Sequence, residues 1–149
     1  MKTAICYYSR HHGNTKKVLD AMAQGEKADL FDVTAGEAVS LEGYDLIGFA
    51  SGVYFGKFHE SVVDFARKHL PQGKKVFFVF TGGSPKQGNA DGIKAAIADK
   101  APVILGEYFC RGYDTYGPFK LVGGIAKGRP NQEELEQAKQ FYDSLTAEK

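Results

Sequence analysis

The chain has 149 residues, 43% of them hydrophobic and 25% charged, a balance that predicts a single folded domain over residues 1–149 with enough apolar material for a sizeable core. Lys and Arg number 19 against 18 Asp and Glu, and the net charge of +1 gives no support to nucleic-acid binding through a basic field. No apolar run exceeds the five residues of 76–80, far short of the roughly 20 that a membrane-spanning helix needs. Met1 leads into a strand pattern instead of a signal peptide, so a cytoplasmic protein without membrane insertion is expected. Two cysteines, Cys6 and Cys110, are too few for a disulfide framework or a zinc centre, so both are expected reduced and buried, with no metal site.

In chain order, Ala4-Ile5-Cys6-Tyr7-Tyr8 is a continuous apolar run suited to a strand covered on both faces. From Asn14 the period changes: Val18, Leu19, Met22 and Ala23 recur at helical spacing, with lysines between, until Gly25. Residues 28–33 alternate as a second strand, a short helix is possible over 38–41, and 45–50 reads as a third strand. Val62, Phe65, Ala66 and Leu70 form a helical stripe closed by Pro71; residues 75–80 give the strongest strand. Ile93, Ala96 and Ile97 mark a shorter helix before Pro102, and 103–109 is the fifth strand. The glycine-rich stretch 112–128 has neither period and is expected to fold over the body of the domain. Asn131 and Glu134 have the spacing of a capping box, and Leu135, Ala138, Tyr142 and Leu145 share one face of the last helix. Strands alternating with helices predict an α/β fold, with a parallel sheet, right-handed crossovers and helices on both faces.

In such a sheet, ligands sit beyond the carboxyl ends of the strands. The loop Ser9-Arg10-His11-His12-Gly13-Asn14-Thr15 ends where the first helix begins, so it offers free backbone N–H groups and a positive dipole end to an anion; it reads equally as a capping turn. After the third strand, Ser51-Gly52-Val53-Tyr54-Phe55-Gly56-Lys57-Phe58-His59 places large apolar side chains in a connection expected to be exposed. Those rings either stack on a planar ligand or plug the end of the sheet, and Gly56 permits a peptide that flips. Thr81-Gly82-Gly83 adds bare backbone amides at the same edge. A receiver domain is excluded, because the places that need acids after strands one and three and a Lys after strand five hold Ser9 and Arg10, Ala50 and Ser51, and Phe109 and Cys110.

A phosphate nest beside aromatic plates suits a phosphorylated planar ring. An apolar strand, a loop ending Gly13-Asn14-Thr15 and a helix resemble the phosphate-binding signature of the flavodoxin family. Residues 51–58 are similar to the flavin loop Ser-Pro-Ile-Tyr-x-Gly-Lys-Trp of flavodoxin-like reductases, and Cys110-Arg111-Gly112 with Lys127-Gly128-Arg129-Pro130-Asn131 to the tail of such domains. The resemblance implies a three-layer α/β/α sandwich around a five-stranded parallel sheet of order 2-1-3-4-5, with FMN as cofactor. Ser9, His11, His12, Gly13, Asn14 and Thr15 would then bind the phosphate. Tyr54, Phe55 and Gly56 would line one side of the isoalloxazine, with the Gly56 carbonyl turning toward flavin N5 when that atom gains a hydrogen, and Ser51, Gly52 and Val53 would belong to the same cofactor site. Thr81, Gly82 and Gly83 would meet the pyrimidine edge, and Tyr113 would cover the other face.

Two features depart from the family pattern. His11 and His12 stand where Ser or Thr is usual, and the chain is neutral where electron-carrier flavodoxins are acidic, with Lys57 after the flipping glycine and His59 nearby. Positive charge there stabilises an anionic reduced flavin and raises the potential. Two functions follow. One is an electron carrier that shuttles electrons between redox protein partners, favoured by Gly56 and by the absence of an obvious general acid or base. The other is an FMN-dependent oxidoreductase that reduces a quinone-like molecule or oxidises a porphyrinogen-type one, favoured by Lys57, His59 and neutrality. No catalytic side chain is assigned in either case.

Overall fold

The computed structural model describes residues 2–8, 13–24, 28–36, 39–112 and 128–147. Its elements are β1 (Thr3–Tyr8), α1 (Asn14–Met22), β2 (Asp29–Asp32), β3 (Leu46–Tyr54), β4 (Lys57–Phe58), α2 (Glu60–His69), β5 (Lys75–Gly82), α3 (Asp91–Ala96), β6 (Val103–Arg111) and α4 (Gln132–Thr146), with one 3-10 turn at Ala98–Lys100. Period-two alternation along the apolar strands decides which side chain meets which helix layer. In β5, Val76, Phe78 and Phe80 join Cys6, Ile47 and Phe49 beneath Val62 and Ala66 of α2 and Ile93 of α3. Phe77 and Val79 point the other way, joining Ile5 and Ala50 beneath Val18, Leu19 and Met22 of α1 and Ala138, Tyr142 and Leu145 of α4. Each fully buried phenylalanine is worth about 1.5–3 kcal/mol of transfer free energy, and Phe49, Phe77, Phe78 and Phe80 are all 0% exposed.

The five long strands run parallel in the spatial order β2-β1-β3-β5-β6. With β4 set aside, this is the 2-1-3-4-5 order that the resemblance implied. The sixth strand, β4, was not foreseen: it pairs antiparallel with the end of β3, Val53 opposite Phe58 and Tyr54 opposite Lys57.

Three strands run on past their expected ends. Ser51, Gly52, Val53 and Tyr54, expected in a loop, continue β3, because β5 also continues and supplies ladder partners opposite Ser51 and Gly52. Thr81 and Gly82 likewise belong to β5, and Cys110 and Arg111 to β6. Residues 39–41 form no helix, and 113–127 of the glycine-rich stretch lie outside the described residues.

The capping box of α4 is in place: Asn131 Oδ1 accepts from the Glu134 amide, and Glu134 Oε1 accepts from the Asn131 amide, both at 2.9 Å. Glu134 Oε2 binds Arg129 at 2.8 Å and accepts from the Arg111 amide at 3.3 Å, which ties α4 to the end of β6. Both cysteines are free and buried. Burial pushes each thiol up to about 12, so neither is a thiolate near neutral pH. Among the described residues no helix is long and apolar enough to cross a membrane.

Candidate functional site

The carboxyl ends of β1, β3, β5 and β6 meet at one edge of the sheet. Gly13 takes φ 65° and ψ 23°, a left-handed conformation that turns the chain into α1 without a side-chain cap. No acid stands in the first turn of α1, so nothing there opposes the positive end of the helix dipole. A Cβ at Gly13 would meet nothing within 4 Å, which leaves room beside the turn. Thr15 is 1% exposed, and its hydroxyl lies 2.9 Å from that of Thr81, so the first turn of α1 is bonded to the end of β5. Asn14 packs on the backbone of Gly112, where an added Cβ would lie 2.6 Å from Asn14 Nδ2. The Gly112 amide donates to the Gly82 carbonyl at 2.8 Å, and Arg111 Nε donates to the Gly83 carbonyl at 3.1 Å. Side chains and backbone thus lock this half of the edge.

The other half is the β3–β4 hairpin. Phe55 and Gly56 form its two-residue turn with φ 51° and 81°; positive values at both positions match the right-handed twist of the flanking strands. Phe55 pays for this geometry with a left-handed backbone, which costs about 1–2 kcal/mol for a residue with a Cβ, while its side chain is 77% exposed. Beneath it, the Ser51 hydroxyl donates to the Gly52 carbonyl at 2.6 Å and accepts from the His59 amide at 2.9 Å, so it serves the hairpin. Asn89 Nδ2 donates to the Gly56 carbonyl at 2.9 Å.

Between the halves, the Tyr8 ring stacks on His59 with centroids 3.8 Å apart, and Tyr54 meets His59 edge-on at 5.2 Å. His59 is the N-cap of α2, its Nδ1 accepting from the Ser61 amide at 3.1 Å. Burial holds its pKa below the usual value, against the pull of Glu60, so the ring is neutral at pH 7. The positive charge expected of His59 is therefore missing, and Lys57 is the exposed cation at the hairpin.

Of the residues singled out by sequence, Gly13, Asn14, Thr15, Ser51, Gly52, Val53, Tyr54, Phe55, Gly56, Thr81, Gly82 and Gly83 all gather at this edge. Ser9, His11, His12 and Tyr113 lie outside the described residues. Sequence reading missed Asn89 altogether, since a Gly-Asn pair signals only a turn, and it gave His59 a charge where the structure gives it a cap.

The arrangement suits a phosphorylated planar ligand: helix-start amides with open space beside them can receive an anion, and an exposed aromatic side chain can stack on a ring. A family model described as a flavodoxin domain matches residues 4–106. An uncharacterized protein of Methanocaldococcus jannaschii is 41% identical over 147 residues, 97% of this chain and 98% of that protein. Among solved structures, a flavodoxin from the domain Archaea aligns with a TM-score of 0.69 at 17% identity, over 99% of this chain and 97% of that one. A WrbA-like flavodoxin from Agrobacterium tumefaciens aligns at 0.65 and 17%, over 99% and 96%. A Fusobacterium nucleatum flavodoxin variant bound to flavin mononucleotide aligns at 0.67 and 16%, over 99% and 97%. The sheet order and the glycine-started helix agree with a match over most of the chain, and the protein belongs to the flavodoxin domain family.

Proposed function

We propose that this protein is a cytoplasmic FMN-binding electron carrier that passes electrons between redox protein partners. The observation that carries the reading is Phe55, an aromatic residue kept at positive φ and 77% exposed at the ligand edge of the sheet. Backbone strain and exposed apolar surface at one residue are both costly, and a planar ligand compensates for both. FMN, when bound, supplies a ring that accepts one or two electrons.

The chain's own residues bind and orient. Gly13, Asn14 and Thr15 would present helix-start donors to the phosphate, and Ser9, His11 and His12 precede them in the sequence. Tyr54, Phe55 and Gly56 would line one side of the ring, with Ser51, Gly52 and Val53 behind them in the hairpin; the backbone of Thr81, Gly82 and Gly83 would meet the polar edge, and Tyr113 is the residue the sequence offers for the second face. His59 already accepts from Ser61 and stacks on Tyr8, and both thiols are buried and protonated. Proton chemistry on a bound substrate thus has no evident agent among these groups, which favours carriage of electrons over turnover.

The second reading, an FMN-dependent oxidoreductase acting on a quinone-like or porphyrinogen-type molecule, draws support from a groove of about 390 Å³ beside the hairpin, lined by Lys57, Phe58, Arg67 and Ile93 among others. An anaerobic reductive titration of the FMN-loaded protein, followed by visible absorbance, separates the two. Reduction in two resolved one-electron steps is expected of the carrier. Direct bleaching in a single two-electron step would favour the oxidoreductase, and an absorbance spectrum identical to that of free FMN would remove both.

A further inference from the structure

Asn89 lies between β5 and α3, outside any helix or strand, yet it is only 4% exposed. A buried primary amide is costly unless both ends are bonded. Its Oδ1 accepts from the Lys86 amide at 2.8 Å, which closes its own loop, and its Nδ2 donates to the Gly56 carbonyl at 2.9 Å, 33 residues away. Gly56 is the residue of the hairpin turn with most freedom: it has φ 81°, and a Cβ built there would meet nothing within 4 Å. A peptide with that freedom takes its orientation from whatever binds its carbonyl.

We propose that Asn89 is a positioning residue whose side-chain amide holds the Gly56 carbonyl toward the β5–α3 loop, and so sets how readily the Gly56–Lys57 peptide turns to face a cofactor bound against the hairpin. The inference rests on the FMN-carrier reading. With FMN bound, uptake of one electron from a reduced redox protein and one proton from water would turn flavin N5 from a hydrogen-bond acceptor into an N–H donor. Turning the Gly56 carbonyl toward that donor would weaken its bond to Asn89, which holds it toward the β5–α3 loop. The two donors compete for one acceptor, and Asn89 therefore biases the first electron step against the reduced state.

The test uses ¹⁵N-labelled protein with and without FMN, and the variants Asn89→Ala and Asn89→Asp. The aspartate keeps an oxygen for the Lys86 amide but donates nothing to Gly56, so it remains informative if the alanine variant folds poorly. Without cofactor, both variants are expected to move the Lys57 amide nitrogen resonance, which reports hydrogen bonding to the preceding carbonyl; an unmoved Lys57 signal in both overturns the proposal. With FMN bound, a spectroelectrochemical titration of Asn89→Ala is expected to favour the first one-electron step by about threefold to tenfold in equilibrium constant, the net worth of one hydrogen bond. A first step equal to that of the wild type also overturns it. Should the wild-type protein bind no FMN, the carrier reading fails alone, and the Lys57 signal still decides whether Asn89 positions the peptide.

Discussion

The two halves of the ligand edge are built on opposite principles. At the start of α1, Thr15 and Asn14 are buried, the Thr15 hydroxyl is bonded to Thr81, and Gly112 admits the Asn14 side chain only because it has none of its own. At the hairpin, Phe55 is exposed on a strained turn, and the carbonyl of its neighbour Gly56 is held by one side chain from another loop. The first half is fixed before any ligand arrives, which suits an anion whose charge does not change. The second half is adjustable, which suits a ring whose hydrogen-bonding pattern changes with its electron count. Rigidity and compliance thus sit side by side on one sheet, each where the chemistry of the ligand asks for it.

The contrast is broken most directly by filling the rigid half. Gly112→Ala would drive a Cβ to 2.6 Å from the Asn14 amide, and overpacking of this kind costs about 1–3 kcal/mol. Urea denaturation is expected to give a midpoint lowered accordingly, and an unchanged midpoint would show that the packing there is soft. Next comes Thr15→Ala, which removes a buried hydroxyl and its bond to Thr81 and should cost about 1 kcal/mol of stability. On the proposed function it should also weaken FMN binding much more than Lys57→Ala, because there the helix start would hold the phosphate while Lys57 would act on the ring. Equal dissociation constants for the two variants, from quenching of flavin fluorescence, would contradict that division.

In the compliant half, effects on stability should be small. Phe55→Gly relieves the left-handed backbone but adds freedom to the unfolded chain, so stability should change by less than about 1 kcal/mol while FMN affinity falls. A large loss of stability would mean that Phe55 is structural. The smallest effect concerns pH. Burial lowers the folded-state pKa of His59 beneath its ordinary 6.5, so the unfolded chain takes up that proton first. The neutral ring's contribution is present above pH 6.5 and declines as the pH falls below it toward the folded value, where Nδ1 must also give up the Ser61 amide. Urea midpoints of the His59→Asn variant, which retains a capping side chain, should show a flatter decline across that window than those of the wild type.

The five long strands were legible because each carries its own apolar pattern, and α4 because its capping box and stripe are local. The ends of β3 and β5 were not. Gly52 and Thr81 read as loop residues in isolation, and they extend strands only because each finds the other across the ladder. The same holds at the site. Gly13 and Thr15 could be assigned to a helix start from their neighbours, whereas the bond from Asn89 to Gly56 joins residues far apart in the chain, neither of which hints at the other. His59 shows a third way for the signal to be lost: its residue type suggested charge, but its burial and its bond to Ser61 decided otherwise.

The Thr15–Thr81 contact closes a span of 66 residues and links the first helix to a strand that is third in the row from β1. In the sheet, β3 lies between β1 and β5 and carries both of them. Contacts of such long sequence separation are slow to form, so this end of the sheet is expected to take shape late in folding. The end of the sheet that carries Gly13, Thr15 and Thr81 is therefore a product of the whole sheet, since no two neighbouring elements suffice to bring Thr15 and Thr81 together.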